Sequence, residues 1–464
     1  MDAADSYHVE FPQRISYDYV GDVEVVKAGS LEGLVDNLTR PDKLDAAFNR
    51  TFLTTYNYFT SGTELIRHLL QRFEYQPTPP AILSATDASE WMVETHPLVR
   101  VRVVNILRQW LESFWAEPEG PETHKNLLTL QLFVSHLTAT TSESSATKQQ
   151  LLDLIRCRLT GVERTKRSQP SISNPPKPIL PRKLTKLQLL KIDPREIARQ
   201  LTLTESSMFG KIRPRELMHK SWQRKEEGQN GLPPRAPNVR ALIRYFNQLS
   251  SWVGGTILAE ADLKRRTQVI GHLVNVASAC RDLHNYSAVV SILSGLESAP
   301  IYRLGRTWAM VTERTCSTLE PLQALTSSDQ NYQIYRNTLR QAVPPCIPFL
   351  GLFLKDLVFI EDGNSATTPE GLINFSKYTM LASTAHELQG FQQASYNLTP
   401  VPELQEYLAT QLQAAAAGDA HEMWERSCQL EPRGRGDQNK SRDTYTATGG
   451  MTTSMVVACM VLDD

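Results

Sequence analysis

The stretch Asn238-Val-Arg-Ala-Leu-Ile-Arg-Tyr-Phe-Asn-Gln-Leu-Ser-Ser-Trp-Val-Gly-Gly255 sets the fold class. Val239, Leu242, Ile243, Phe246 and Trp252-Val253 fall at helical spacing, so they share one face of an α-helix. Gly254-Gly255 reads as its stop. Leu263, Ile270, Leu273-Val274, Ala277 and Leu283 continue the pattern in the next segment. Far upstream, Val101, Val104, Leu107, Leu111 and Phe114 line another helical face. Period-two alternation is scarce, and an all-α architecture follows.

Bulk composition narrows the function classes. The chain has 464 residues, enough for two or three domains. Its 49 Lys and Arg against 50 Asp and Glu give a formal charge of −1, which offers no electrostatic case for nucleic acid or an anionic membrane surface. No segment approaches the apolar length of a membrane span. The acidic start, Met1-Asp-Ala-Ala-Asp, is unlike a signal peptide. Cys157, Cys280, Cys316, Cys346, Cys428 and Cys459 form no C-x-x-C pair, so neither a metal site nor a redox motif is expected, and reduced thiols in a cytoplasmic protein are.

Lys166 to Arg182 reads KRSQPSISNPPKPILPR, whose prolines break helices and keep the chain extended. It divides the sequence into a lead-in at 1–20, a first helical region at 21–161, the linker at 162–187, a second helical region at 188–430 and a tail at 431–464. The polar, glycine-rich tail is expected to be disordered.

Catalytic constellations are missing. No phosphate-cradling G-x-x-x-x-G-K-[ST] loop, G-x-G-x-x-G turn, G-x-S-x-G elbow or H-E-x-x-H pair occurs. His272 and His284 read as packing or solvated side chains, and the adjacent acids Glu361-Asp362 have no nucleophile or base nearby in sequence. From the residues alone this is a two-domain helical interaction protein.

Pro344-Pro-Cys-Ile-Pro-Phe-Leu-Gly-Leu-Phe-Leu-Lys-Asp-Leu-Val-Phe-Ile-Glu-Asp-Gly-Asn364 closely resembles the signature of the Ras-family guanine-nucleotide exchange factor catalytic domain. Further blocks of that family accompany it in order: Asp193 to Glu205, Asn238 to Trp252, Ala299 to Leu304 with Thr307-Trp308, and Leu372 to Lys377. Lys27 to Val35 with Leu38-Thr39, Phe48 to Phe73 and Pro97 to Trp115 resemble the family's companion module, the Ras exchanger motif domain. The resemblance implies an all-helical catalytic domain with a protruding helical hairpin, packed against the N-terminal helical domain.

It also implies roles for particular residues. Pro348 to Ile360 would form the first arm of the hairpin, and the helix holding Ile373 to Lys377 the second. Gly363 would end the first arm with an unusual backbone angle, and Thr367-x-x-Glu370 has capping-box spacing for the start of the second. Val358 matches an apolar position set against the GTPase magnesium site, where it offers the metal no oxygen ligand. Asp362 matches an acidic position facing the phosphate-binding loop, where a carboxylate competes with phosphate for the same donors. Ile243, Val290, Tyr332 and Phe349 match the pocket that grips a switch region of the GTPase, with Arg244 a polar contact beside it. Glu297 stands where many family members carry asparagine, whose amide both donates and accepts while an ionised glutamate only accepts. Lys355 occupies a spot often held by a small polar residue.

The expected function is promotion of GDP release from a small Ras-type GTPase, Ras or Rap, without covalent chemistry and without a cofactor of its own. The alternative is a non-catalytic GTPase-binding scaffold with the same fold. Cys459-Met-Val-Leu462 is followed by Asp463-Asp464, so it is not a terminal prenylation box. Membrane contact is therefore expected only indirectly, through the lipidated GTPase.

Overall fold

A computed structural model describes residues 15–74, 85–137, 145–161, 174–223, 236–416 and 420–432. The described residues hold eighteen α-helices and one two-stranded sheet. They group into two compact units, each discontinuous in sequence: 1–169 with 359–383, and 170–358 with 384–464.

The first unit opens with an antiparallel hairpin, β1 (Ile15–Val20) and β2 (Val23–Gly29), turned at Gly21 with φ +63°. Residues expected to be part of a lead-in thus form a strand. Six helices follow: α1 (Leu31–Leu38), α2 (Ala46–Thr55), α3 (Gly62–Glu74), α4 (Ala85–Gln109), α5 (Pro121–His136) and α6 (Ser145–Leu159). Ser30 caps α1 by accepting from Gly33 N, and Asp45 caps α2 by accepting from Phe48 N. The core gathers Leu34, Phe52, Leu65, Leu69, Leu107 and Trp110. Val104, Leu107 and Leu111 are buried as the spacing predicts, while Val101 and Phe114 are half-buried.

Residues 359–383 complete this unit. Gly29 and Ile373 exchange backbone hydrogen bonds of 3.1 and 2.9 Å, adding a rung beside β2. The Phe375 ring is buried 4.7 Å from that of Phe48. Tyr378 packs on Tyr58 and Phe59, with centroids 5.4 and 5.1 Å away.

The second unit begins with α7 (Pro194–Phe209), α8 (Pro237–Ala259), α9 (Leu263–Asp282) and α10 (Tyr286–Leu296). Short helices α11 (Ala299–Tyr302) and α12 (Gly305–Trp308) lead to α13 (Glu313–Thr326), α14 (Asp329–Gln341) and α15 (Leu350–Gly363). Last come α16 (Phe375–Phe391), α17 (Pro402–Ala416) and α18 (Ala420–Leu430). The final turn of α15 and the first half of α16 lie in the 359–383 segment of the first unit. The core packs α7, α8, α9, α10 and α17 through Leu201, Trp252, Ile270, Leu273, Ile292 and Leu404.

Gly254-Gly255 does not stop α8, which continues to Ala259. A methyl group on Gly254 would lie 2.6 Å from Met423 Cε of α18, so this glycine serves close packing rather than termination. Of the expected linker, 162–173 lie outside the described residues, and 174–187 form neither helix nor strand, with bends at 182 and 184–186. Tail residues 433–464 are likewise outside, but Glu431 is no part of a disordered tail. It is buried, and its carboxylate accepts from Arg306 N, Thr307 N and Thr307 Oγ1 at 2.9, 2.9 and 2.6 Å.

Candidate functional site

Helix α8 brings two of the expected contact residues. Its first turn has Pro237 where no backbone donor is needed, and the Glu216 carboxylate accepts from Asn238 N and Val239 N at 2.8 and 3.3 Å. That fixes the helix end from which Ile243 and Arg244 project. Ile243 is buried and Arg244 exposed, as neighbours on opposite sides of an amphipathic helix should be.

Helix α10 is capped by Asn285, whose Oδ1 accepts from Ala288 N at 3.0 Å. The Asn285 amide donates to Thr202 Oγ1 and Glu205 Oε2 at 3.1 and 3.0 Å, so a buried polar cluster sets the start of this helix. Val290 lies on it, fully buried, and Ser291 Oγ ties it to α8 by donating to Phe246 O at 2.7 Å. Glu297 closes α10 and is half-buried; its Oε1 accepts from Gln323 Nε2 at 3.0 Å. Burial raises its carboxyl above the ordinary value, while the Gln323 bond pulls it down.

Phe349 N donates to Tyr335 Oη at 2.7 Å, and its ring lies 5.2 Å from Phe246, one turn after Ile243 on α8. Tyr335 in turn meets Tyr286 edge-on at 5.9 Å. Burial drives the Tyr335 hydroxyl far above its usual range, so it stays a neutral donor to acceptors and a lone-pair acceptor for Phe349 N. These contacts join α8, α10, α14 and the entry to α15 into one apolar block.

Tyr332 stands in an unusual backbone. Gln330, Asn331 and Tyr332 all have left-handed dihedrals, with φ of 48°, 56° and 59°. None is glycine, so each costs roughly 1–2 kcal/mol relative to the right-handed form. Arg336 opposes that cost: its Nε donates to Asn331 O at 3.0 Å, and its guanidinium grips Asp356 of α15. Lys355 places its ammonium 5.3 Å from the Tyr332 ring centre, a cation–π contact.

Ile243, Val290, Tyr332 and Phe349 are 3, 1, 2 and 2% exposed. They make the wall of a packed block more than an open pocket. Among the residues of these elements that reach solvent are Arg244, half-exposed Glu297 and Ile334, the last 52% exposed on α14. Ile334 escaped sequence reasoning; an isoleucine in the otherwise polar run Asp329-Gln-Asn-Tyr-Gln-Ile-Tyr-Arg336 was its available signal.

Val358 is half-buried and Asp362 exposed, one turn apart on α15. Phe359 between them is 63% exposed. Gly363 ends the helix as expected, but the positive φ falls at Gly371, +80°, in the connection to α16. Thr367-x-x-Glu370 lies in that connection and does not cap α16, which begins at Phe375. There Thr368 N donates to Leu372 O at 2.8 Å and Gly371 N to Thr368 O at 3.0 Å, closing a tight loop. The loop is held at its base by Lys377, whose buried ammonium donates to Glu361 O and Asn364 O at 2.9 and 2.7 Å.

Among the described residues, no group of three His, Cys, Asp or Glu could hold a metal ion, and no helix is long and apolar enough to cross a membrane. His272 is half-buried, its Nε2 has no hydrogen-bond partner, and burial lowers its pKa.

Comparison with known proteins places these elements in a family. Residues 196–379 match a family model described as the RasGEF domain, and residues 25–134 one described as the RasGEF N-terminal motif. Ras guanine nucleotide exchange factor J of Dictyostelium discoideum is 32% identical over 413 residues, covering 88% of this chain and 48% of that protein. Cell division control protein 25 of Candida albicans is 31% identical over 436 residues, 91% of this chain and 31% of that protein. Ras-specific guanine nucleotide-releasing factor 1 of Mus musculus is 37% identical over 238 residues, 51% of this chain and 18% of that protein. The chain thus spans about half the length, or less, of these curated relatives. With both domain models matched in order on an all-helical structure, the chain belongs to the Ras guanine nucleotide exchange factor family.

Proposed function

We propose that the chain promotes nucleotide release from a small Ras-type GTPase, Ras or Rap, by presenting α15 and the loop after it to the nucleotide site. The observation that carries this reading is the end of α15. An exposed carboxylate, Asp362, follows Val358 by one turn on a helix whose following loop is pinned by Lys377. In this reading the apolar Val358 disfavours magnesium, and Asp362 competes with phosphate. The block of Ile243, Val290, Tyr332 and Phe349 backs a docking surface whose polar edge is Arg244 and Glu297.

Exchanger and nucleotide then weaken each other's hold on the GTPase by the same factor, each tenfold being about 1.4 kcal/mol. No covalent bond changes, and the net direction follows the nucleotide pool. The GTPase's own lipid anchor would bring the complex to membranes, with this chain otherwise cytoplasmic.

The test is release of a fluorescent guanine nucleotide from purified Ras, Rap, Ral and Rho proteins, with and without the full chain. Acceleration on a Ras-branch member, lost in Asp362→Ala and Val358→Ala variants that keep wild-type melting, is the expected result. Binding without acceleration on any GTPase would replace this reading by the scaffold alternative, which the unusual Glu297 favours.

A further inference from the structure

Helix α18 ends on a carboxylate that the exchange reading leaves without a task. Glu431, one residue past Leu430, is buried and accepts from Arg306 N, Thr307 N and Thr307 Oγ1. The Arg266 guanidinium of α9 lies 3.5 Å from its Oε1, with both side chains almost wholly buried. Arg266 also donates from Nε to Thr307 Oγ1 at 2.8 Å and from Nη1 to Glu260 O at 2.9 Å. Burial raises the Glu431 carboxyl, but the bonds from Thr307 and Arg306 N and the Arg266 charge hold it below its ordinary value. A buried ion pair stabilises little more than a well-packed apolar pair would, because desolvation offsets its attraction. Its directed bonds do set where α18 sits relative to α9 and α12.

The surface that α18 covers is the corner between α10 and α11. Glu297 closes α10, and the next residue, Ser298, opens α11. Ser427, fully buried on α18, donates through Oγ to Pro300 O. Arg303, at the end of α11, donates from Nη1 to Ser427 O and from Nη2 to Glu431 O, both at 2.8 Å. Its guanidinium also lies 5.6 Å from the Trp424 ring centre, a cation–π contact. Met423 Cε and Ser298 Oγ converge on Gly254 of α8, 2.6 and 3.7 Å from where its Cβ would be. Helix α18 therefore grips α11 at Pro300 and Arg303 and packs beside the residue that follows Glu297.

We propose that α18, anchored by Glu431 and Ser427, is a positioning element for GTPase docking: it sets the α10–α11 corner, and with it the direction in which Glu297 meets the GTPase. This rests on the exchange reading. Glu431 and Ser427 are both buried and act through α11, not by contact with the partner. Loosening the corner misdirects Glu297 and lowers affinity. The α15 residues Val358 and Asp362 are untouched by it, so release from the saturated complex keeps its rate.

The experiment is a double-mutant cycle on the full chain: Glu431→Gln and Ser427→Ala, each alone and combined with Glu297→Ala. Fluorescent-nucleotide release gives KM and kcat on the GTPase that the wild type accelerates most, and denaturation gives stability. Glu431→Gln and Ser427→Ala should each raise KM about threefold to tenfold while kcat changes less than about twofold. In the Glu297→Ala background the same substitutions should change KM less than about twofold, while their stability losses stay the same. Ser427→Ala removes a single hydroxyl and carries the test if Glu431→Gln does not fold. A purely structural role predicts equal KM effects in both backgrounds, and that result overturns the proposal. Unchanged KM in both single variants overturns it too, as does a fall in kcat alone. A wild type that accelerates no GTPase removes the exchange reading and this inference with it, whereas acceleration with background-independent KM effects overturns this inference alone.

Discussion

Arg336 and Asp356 lock α14 to α15 through two parallel hydrogen bonds of 2.8 Å, Nη1 to Oδ2 and Nη2 to Oδ1. The pair is only partly exposed, and the carboxylate holds the guanidinium pKa above its ordinary value. Arginine's planar fork suits this job, since a lysine could fill one bond of the two and would lose the bond to Asn331 O. Arg336→Lys should therefore cost about 1–3 kcal/mol in stability by chemical denaturation. It should also weaken GTPase binding through the Tyr332 turn while leaving the release rate from the saturated complex nearly unchanged. A lowered saturated rate with unchanged binding would count against a positioning role.

The left-handed turn itself makes a separate prediction. Gln330 is exposed with φ 48°. Glycine adopts this conformation without steric cost. Gln330→Gly is expected to raise stability by about 0.5–1 kcal/mol, against the usual loss when glycine enters a helix. Thermal melting of the two proteins decides the sign.

Glu205 predicts a pH dependence. It is fully buried beneath the start of α10, and burial raises its carboxyl from 4.5 to about 7, against the pull of bonds from Ser287 and Asn285. Folding thus favours the protonated form. Its contribution is fully present below the unfolded value near 4.5 and is lost as pH rises through about 7. Between pH 4.5 and 8 the wild type should lose on the order of 3 kcal/mol more stability than Glu205→Gln. Parallel denaturation curves at both pH values check this; equal losses in the two proteins would refute it.

Two glycines should respond oppositely to alanine. A methyl group at Gly295 would lie 2.6 Å from Ser250 O, a backbone atom of α8, so the helices must part. Gly295→Ala should cost about 1–3 kcal/mol. At Gly254 the obstacle is the flexible end of Met423, and the helix-propensity gain of about 1 kcal/mol offsets it, leaving the variant near wild type. Melting temperatures separate the two.

Glu297 tests partner choice. Gln323 occupies one of its oxygens, and burial raises its carboxyl. If the GTPase expects the amide of the commoner asparagine, Glu297→Asn should speed exchange several-fold on that GTPase, with the largest gain at high pH, where glutamate is ionised. A loss of activity would mean the partner supplies a donor matched to the carboxylate.

The helical fold was legible because buried faces recur with the helix period: Val239, Leu242, Ile243 and Phe246 are all buried on α8. The hairpin β1–β2 was not, because its short strands show half-buried and exposed residues with no clean alternation. Gly254 misled because glycine serves both helix ends and close helix packing, and sequence does not separate the two uses. Ile243 falls on a face whose burial the spacing predicted, but the burial of Tyr332 could not be foreseen, since it stands in the otherwise polar run Asp329-Gln-Asn-Tyr-Gln-Ile-Tyr-Arg336. Arg336 and Asp356 are twenty positions apart in sequence, and their pairing depends on how α14 returns to α15.

Phe375 belongs to the core that Phe48 and Phe52 begin, and Ile373 supplies the backbone partner of Gly29. A nascent chain leaves the ribosome from its first residue onward, so the first unit must wait, unfinished, while residues 170–358 of the second unit are made. During that interval its aromatic cleft and the outer edge of β2 lack their covering residues, which is where a chaperone would be needed. A gene fragment ending near residue 169 would encode that unfinished state permanently, and should yield an aggregation-prone product where the full-length chain does not.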